Sequence, residues 1–198
     1  MQCIPRSSVF VQCTTCMSAL VPTSFILPCA VVSTQRTITF DDLPTTDENG
    51  NAIEFGNVPN GYQGFDWDLT AYINGPIYTP SPSGYQAGVV SSPNVALNAG
   101  GTASISRLTP FSMISLNTNA AWNIGQTNIF TGFLRDMQVA QVTAVVDDQA
   151  TTLVQLNFNN VDLVTFEGSG GTQDPAAPAS GTFVVIDNIL VDDVPNAA

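Results

Sequence analysis

The stretch TFVVIDNILVDD, Thr182 to Asp193, reads as a strand that is buried on both faces. By strict alternation Phe183, Val185, Ile189 and Val191 share one face with Asp187, and Val184, Ile186 and Leu190 share the other with Asn188. A short apolar run of this kind, rich in β-branched residues and preceded by Gly181, is the pattern of a core strand. An unpaired carboxylate in the middle of such a strand is costly to bury. Asp187 therefore needs partners.

Other runs of the same character precede it. RTITFDD (36–42), QAGVVSS (86–92), VALN (95–98), ASISRL (103–108) and FSMISL (111–116) are followed by TNIFTGFL (127–134), MQVAQVTAVV (137–146), TTLVQLNF (151–158) and VDLVTFE (161–167). Turn residues separate them, among them Pro59-Asn60-Gly61, Asn98 to Gly101 and Gly168 to Gly171. No helix-length stretch shows a 3.6-residue apolar period. About ten short antiparallel strands at this spacing predict an all-β fold, a jelly-roll β-sandwich. Arg135-Asp136 reads as the turn of one hairpin, and Asn159-Asn160 as the turn joining a second pair of strands. Segment 43–85, rich in Gly, Pro, Asn and aromatic residues, reads as long loops at one end of the sandwich, where binding sites gather. Segment 168–181, GSGGTQDPAAPASG, reads as a flexible surface loop.

Composition excludes much chemistry. The 198 residues, 44% of them hydrophobic, suffice for one core and are few for two. There are 16 acidic residues against four basic ones, all arginine, with no lysine and no histidine. The net charge of −12 opposes nucleic acid and anionic membranes as partners. Without histidine there is no Ser-His-Asp triad and no His-ligated zinc or iron. Without lysine there is no Schiff base and no phosphate-loop lysine. What remains is carboxylate, hydroxyl and arginine chemistry, or a metal held by oxygen.

All four cysteines, Cys3, Cys13, Cys16 and Cys29, fall within residues 1–33, a segment with no acid and a single arginine, Arg6. An early positive charge, an apolar stretch and then small residues is the pattern of a secretory signal. Residues 1–33 are read as a leader and 34–198 as one β-sandwich domain, secreted to the extracellular space or cell wall. The Cys13–Cys16 pair lacks a second half for a zinc site and is read as part of the leader.

ITFDDLP (38–44), NVPNGYQGFDWD (57–68), GYQAGVVSSPNVALN (84–98), AAWNIGQT (120–127), TLVQLNFNNVDLVTFEGSGGT (152–172) and FVVIDNILV (183–191) occur in one order. In this respect the chain resembles a family of uncharacterised secreted fungal proteins, with similar bacterial surface proteins, over roughly residues 37–192. Its ending also resembles the last strand of jelly-roll carbohydrate-binding modules. That resemblance implies a structural calcium ion at Asp187, closed by Asp41 or Asp42 from a neighbouring first strand. Oxygen ligands of this type suit a hard cation. The competing reading is that Asp187 and Asn188 cap backbone groups at a bulge.

Candidate ligand-binding residues cluster between 62 and 85. Sugar rings have apolar C–H faces that stack on aromatic rings, and flanking carboxylates and amides bind their hydroxyls. Tyr62, Trp67, Tyr78 and Tyr85, with Asp66 and Asp68, offer that chemistry, although large rings are also what cores are built from. On a strand Asp66 and Asp68 share a face about 7 Å apart, which permits but does not require a paired-carboxylate glycosidase. The leading expectation is a non-catalytic module that binds extracellular or cell-wall glycan. The alternatives are a structural or adhesive, self-associating surface protein and a carboxylate-dependent glycan-active enzyme.

Overall fold

The structure is a computed structural model and describes residues 34–193; the expected leader and its cysteines lie outside the described residues. Strands β1 (Gln35–Ile38), β2 (Phe55–Asn57), β3 (Asp66–Asp68), β4 (Thr70–Asn74), β5 (Asn94–Asn98) and β6 (Ala103–Ala120) come first. They are followed by β7 (Asn123–Ile124), β8 (Gln126–Leu134), β9 (Met137–Val146), β10 (Thr152–Ser169), β11 (Thr172–Gln173) and β12 (Val184–Asp192). One turn of α-helix, α1 (Gly84–Ala87), lies between β4 and β5, after a 3-10 turn at Gly75–Ile77.

Every pairing is antiparallel, as the alternating runs predict. The hydrogen-bonded order is β2-β4-β5-β12-β6-β10-β8-β9, with β1 added to β12 and β3 to β6, while β7 and β11 form a separate pair. The long strands β6 and β10 each serve more than one neighbour. β6 pairs with β12 through Ser112–Ala120 and with β3 through Ser104–Ser106. The ladder thus closes over a core containing Phe40, Phe65, Phe111, Phe130, Phe158 and Phe166, all buried. The fold is an all-β, jelly-roll-like sandwich.

Three local expectations are corrected. ASISRL and FSMISL are one 18-residue strand, β6, not two short ones. TTLVQLNF and VDLVTFE likewise form one strand, β10, so Asn159-Asn160 is not a hairpin turn. Asn157 and Asn160 adopt left-handed conformations (φ 51° and 55°) at register shifts against β6. Asparagine tolerates that region because its short polar side chain bonds locally, so residues that suggest a turn here make bulges. QAGVVSS is not a strand; its start belongs to α1, which sits directly on β6, where a Cβ on Gly84 would lie 1.8 Å from the Ala120 carbonyl oxygen. The β8–β9 hairpin forms as expected, with Arg135 and Asp136 at φ 51° and 63° in a two-residue turn.

The alternation expected for β12 also breaks. Asn188 lies at φ 49°, within a bulge between Asp187 and Leu190. The extra residue flips parity, so Val184, Ile186, Ile189 and Val191 all face the main core and Val185 faces the other way. At the same point β12 changes neighbour. Val185 and Ile186 pair with β5, and Ile189 to Asp192 pair with β1.

The outward residues of β4, β5 and β12 support a second, smaller core: Ala71, Ile73, Val95, Leu97 and Val185, covered by Tyr85, Trp122 and Ala177. Segment 168–181 is therefore not simply a surface loop. It carries β11 and buries Asp174 and Ala177.

Replacing Asn188 by valine should cost about 1–2 kcal/mol more than replacing it by glycine, because a β-branched residue is strained at positive φ. Both variants lose the same side-chain hydrogen bond, so urea unfolding of the pair isolates the backbone effect.

Candidate functional site

The partners of Asp187 are backbone N–H groups. The residue is 1% exposed. Val90 N and Ser91 N donate to its Oδ2 at 2.8 and 2.9 Å, and Asn188 N donates to Oδ1 at 2.7 Å. Ser91 Oγ bonds Asn188 Oδ1 at 2.8 Å. The carboxylate thus holds the segment entering β5 against the bulge of β12. Oδ2 accepts two N–H bonds, and Oδ1 accepts, besides Asn188 N, a longer 3.4 Å contact from Ser91 Oγ, whose one proton is shared with Asn188 Oδ1. Burial pushes the Asp187 carboxyl up to about 6; its N–H partners pull the other way, and the charge of Asp41 adds to the rise.

Asp41 belongs to the same junction. It accepts from Asn94 N at 3.1 Å, and Asn94 Nδ2 donates to the carbonyls of Phe40 and Leu43 at 2.9 and 3.3 Å. Asn94 Oδ1 is buried with no hydrogen-bond partner among the described residues. Asp42 faces elsewhere, accepting from the Tyr62 hydroxyl and from Gln63 Nε2. Of the three residues expected to hold calcium, the fold brings Asp41 and Asp187 together and leaves Asp42 out. Among the described residues no three carboxylate, histidine or cysteine side chains gather as a metal site. The oxygens of Asp41, Asp187 Oδ1 and Asn94 Oδ1 nevertheless suit a hard cation, which takes carboxylate and amide oxygens together.

The expected aromatic platform divides in two. Trp67 is 5% exposed, and its Nε1 donates to the Tyr62 carbonyl at 2.9 Å. Its ring meets Phe40 edge-on at 5.5 Å and Phe65 at 6.3 Å. Trp67 is a core residue, not an exposed stacking surface. Asp66 and Asp68 are exposed because β3 alternates, which turns both away from that ring. Tyr62 is half-buried and stacks on Phe40 at 5.9 Å.

Tyr78 and Tyr85 belong to the second core. Tyr85 meets Trp122 edge-on at 5.3 Å, and Tyr78 meets Tyr85 edge-on at 5.0 Å. With Phe55, Ile73, Leu97 and Phe183 they line a solvent-open cavity of about 480 Å³, to which Ala179 and Ser180 also contribute. Phe55 stands 52% exposed at this cavity. Burial raises the pKa of both phenols, aided at Tyr78 by the Glu54 charge and at Tyr85 by Tyr78, so both hydroxyls stay neutral near pH 7. Glu54 itself holds Thr79 through its N–H and its Oγ, the latter at 2.9 Å. The cavity can accept a flat apolar face and offer neutral hydroxyls at its walls. Sequence reasoning missed Phe55, Trp122 and Phe183. They are 128 positions apart at the extremes, and only the β2–β4–β5–β12–β6 adjacency gathers them.

No family model matches the chain, and no curated protein matches it in sequence. Solved structures do match. A DUF4465 family protein from Bacteroides caccae gives a TM-score of 0.51 at 9% identity, over 87% of this chain and 97% of that one. A DUF4465 family protein from Bacteroides ovatus gives 0.48 at 11% identity, over 81% and 99%. A carbohydrate binding module of family 29 gives 0.36 at 18% identity, over 82% and 90%. The first of these shows a shared fold. Identities this low say nothing of ligand or activity.

Trp67→Ala should lower stability by about 3–5 kcal/mol in urea unfolding, as the loss of a buried indole does. The Asp187 carboxyl has its pKa raised in the folded state from 3.8 to about 6. Its contribution to stability is thus full below about pH 4 and is lost as the pH rises through 6. In chelator, the melting temperature of the wild type relative to Asp187→Asn should rise as pH falls from 7 to 4.5.

Proposed function

We propose that this chain is a non-catalytic module that binds an extracellular or cell-wall glycan in the cavity between Phe55, Tyr78 and Trp122. The observation that carries the reading is the solvent-open, aromatic-lined cavity on the outer face of β4, β5 and β12. Ligand sites are typically concave and apolar, with a few polar groups, and this cavity has that character. A sugar ring supplies an apolar face for the rings and hydroxyls for Tyr78, Tyr85 and Ser180. The absence of histidine and lysine removes the commonest nucleophile–base pairs, and the leader-like start supports a secreted setting.

A structural calcium ion at Asp41 and Asp187 belongs to the same reading. It would relieve the repulsion between the two carboxylates and give Asn94 Oδ1 a partner.

One observation favours a self-associating surface protein instead. β9 is a ten-residue edge strand, MQVAQVTAVV, with no charge and no proline, and Met137, Val139 and Val145 are exposed. Edges of this kind pair with other strands unless they are blunted.

Glycan-array binding by the full chain in calcium tests the glycan reading. Phe55→Ala should abolish specific binding with little change in melting temperature, and Tyr78→Ala should abolish it while lowering the melting temperature somewhat, because Tyr78 packs edge-on against Tyr85. Binding that survives both variants places the ligand elsewhere, and a blank array with concentration-dependent assembly favours the β9 edge. For the ion, chelation should lower the melting temperature of the wild type at the Asp187 site and leave Asp187→Asn less affected. Equal responses would remove calcium from this junction.

A further inference from the structure

A second polar site lies against a different face of α1. Tyr85 of that turn lines the aromatic cavity, whereas Ser83, Gln86 and Ala87 line a separate cavity of about 320 Å³ with Asp148, Gln149 and Asp174. Asp148 comes from the β9–β10 turn and Asp174 from the chain just after β11. Neither is a solvated surface acid. Asp148 and Asp174 are each 6% exposed, and Ser83 is 4% exposed.

The polar atoms there are incompletely used. Asp148 Oδ1 and Ser83 Oγ have no hydrogen-bond partner among the described residues. Ser83 stands at the N-cap position of α1, where its hydroxyl would ordinarily accept a helical N–H, yet it makes no such bond. Asp174 is held in place, with Oδ1 accepting from Ala176 N at 2.8 Å and Oδ2 from Gln149 Nε2 at 2.7 Å. A carboxylate offers about four acceptor sites, so Asp174 keeps capacity beyond these two donors and the Asp148 carboxyl. The two carboxyls also hydrogen-bond each other: burial and the Asp174 charge raise the Asp148 pKa, so in the absence of a cation Asp148 is the partner that holds the shared proton.

Among the described residues no arginine balances them. Arg36 and Arg107 both bind Asp193, at 2.9 and 2.5 Å. Arg135, the other arginine among the described residues, sits in the β8–β9 turn and lines a different groove with Asp66 and Asp162. Two adjacent carboxyl groups and an unpartnered hydroxyl, all on residues that line one cavity, match the ligand preferences of a hard divalent cation. The cavity is far larger than a bare ion, so the remaining ligands are water. Room for variable coordination favours calcium over magnesium, which demands a tight octahedron.

We propose that Asp148, Asp174 and Ser83 form a binding site for a hydrated calcium ion. The ion joins three segments that are distant in sequence: α1, the β9–β10 turn and the chain after β11. This site shares no residue with the Asp41–Asp187 junction and does not depend on glycan binding.

The test is calorimetric titration of the metal-stripped full chain with calcium chloride, and separately with magnesium chloride. It is run in wild type, Asp187→Asn, and Asp187→Asn carrying Asp148→Asn, Asp174→Asn or Ser83→Ala. One calcium should still bind to Asp187→Asn. Asp148→Asn and Asp174→Asn should each weaken that event at least tenfold, and Ser83→Ala less, because it removes one neutral ligand and leaves both charges. Loss of calcium-induced thermal stabilisation should follow the same order. No binding in Asp187→Asn, or undiminished binding after Asp148→Asn, overturns the site. A rise in metal-free melting temperature on Asp148→Asn, with no calcium bound by its parent, would show instead that only the shared proton joins Asp148 to Asp174. If the aspartate variants do not fold, unchanged affinity in Ser83→Ala together with equal affinity for magnesium overturns it as well.

Discussion

The Asp187 carboxylate lies where β12 exchanges β5 for β1 as its neighbour. A central strand that changes partner leaves a gap in its ladder, and buried backbone groups at a gap need bonds from somewhere. Here the side chain supplies them, accepting from Val90, Ser91 and Asn188. The cost of removing a carboxylate from water is reduced, though not cancelled, by three N–H donors rather than by a cationic side chain. The left-handed Asn188 then restores the inward aim of Ile189 and Val191. Loss of either residue would disturb β1, β5 and β6 together, because all three are built on β12.

That arrangement also explains why the chain has two cores. Alternate residues of β4 and β5 point to opposite faces, and both faces are covered. The inner face meets the phenylalanines of β6, β8 and β10. The outer face is covered by smaller pieces: α1, Trp122 and the chain around Ala177. Short segments do not seal a sheet face as a second sheet does, and the aromatic cavity opens there. The two acids beside Ser83 sit among the same covering segments, so a cation there would stiffen the part of the fold that shapes the cavity.

Much of the architecture was legible in the residues. Alternating runs and turn residues identified the antiparallel class and the β8–β9 hairpin, and the resemblance to jelly-roll modules implied that the first and last strands are neighbours. Asn157, Asn160 and Asn188 were less legible, because a left-handed asparagine serves a turn and a bulge equally well. Of the aromatic residues singled out in the sequence, Tyr78 and Tyr85 line the cavity, whereas Trp67 is buried, and Asp42 is turned toward Tyr62. DWD on a strand shows that its middle residue opposes its neighbours, but not which side is the core. Trp122 looked isolated because its partners lie nearly forty residues before it and some sixty after.

By itself, the sequence determined the strand-forming pattern, the exclusion of histidine and lysine chemistry, the strongly acidic surface and the need of Asp187 for partners. These follow from composition and short-range periodicity, which act within a few residues. Tertiary structure alone decided that those partners are Val90, Ser91 and Asn188, that the tryptophans serve different cores, and that Asp148 faces Asp174. Each of these depends on which strands lie side by side. Pairing between distant segments is set by the summed packing of the whole sandwich, which no local pattern encodes.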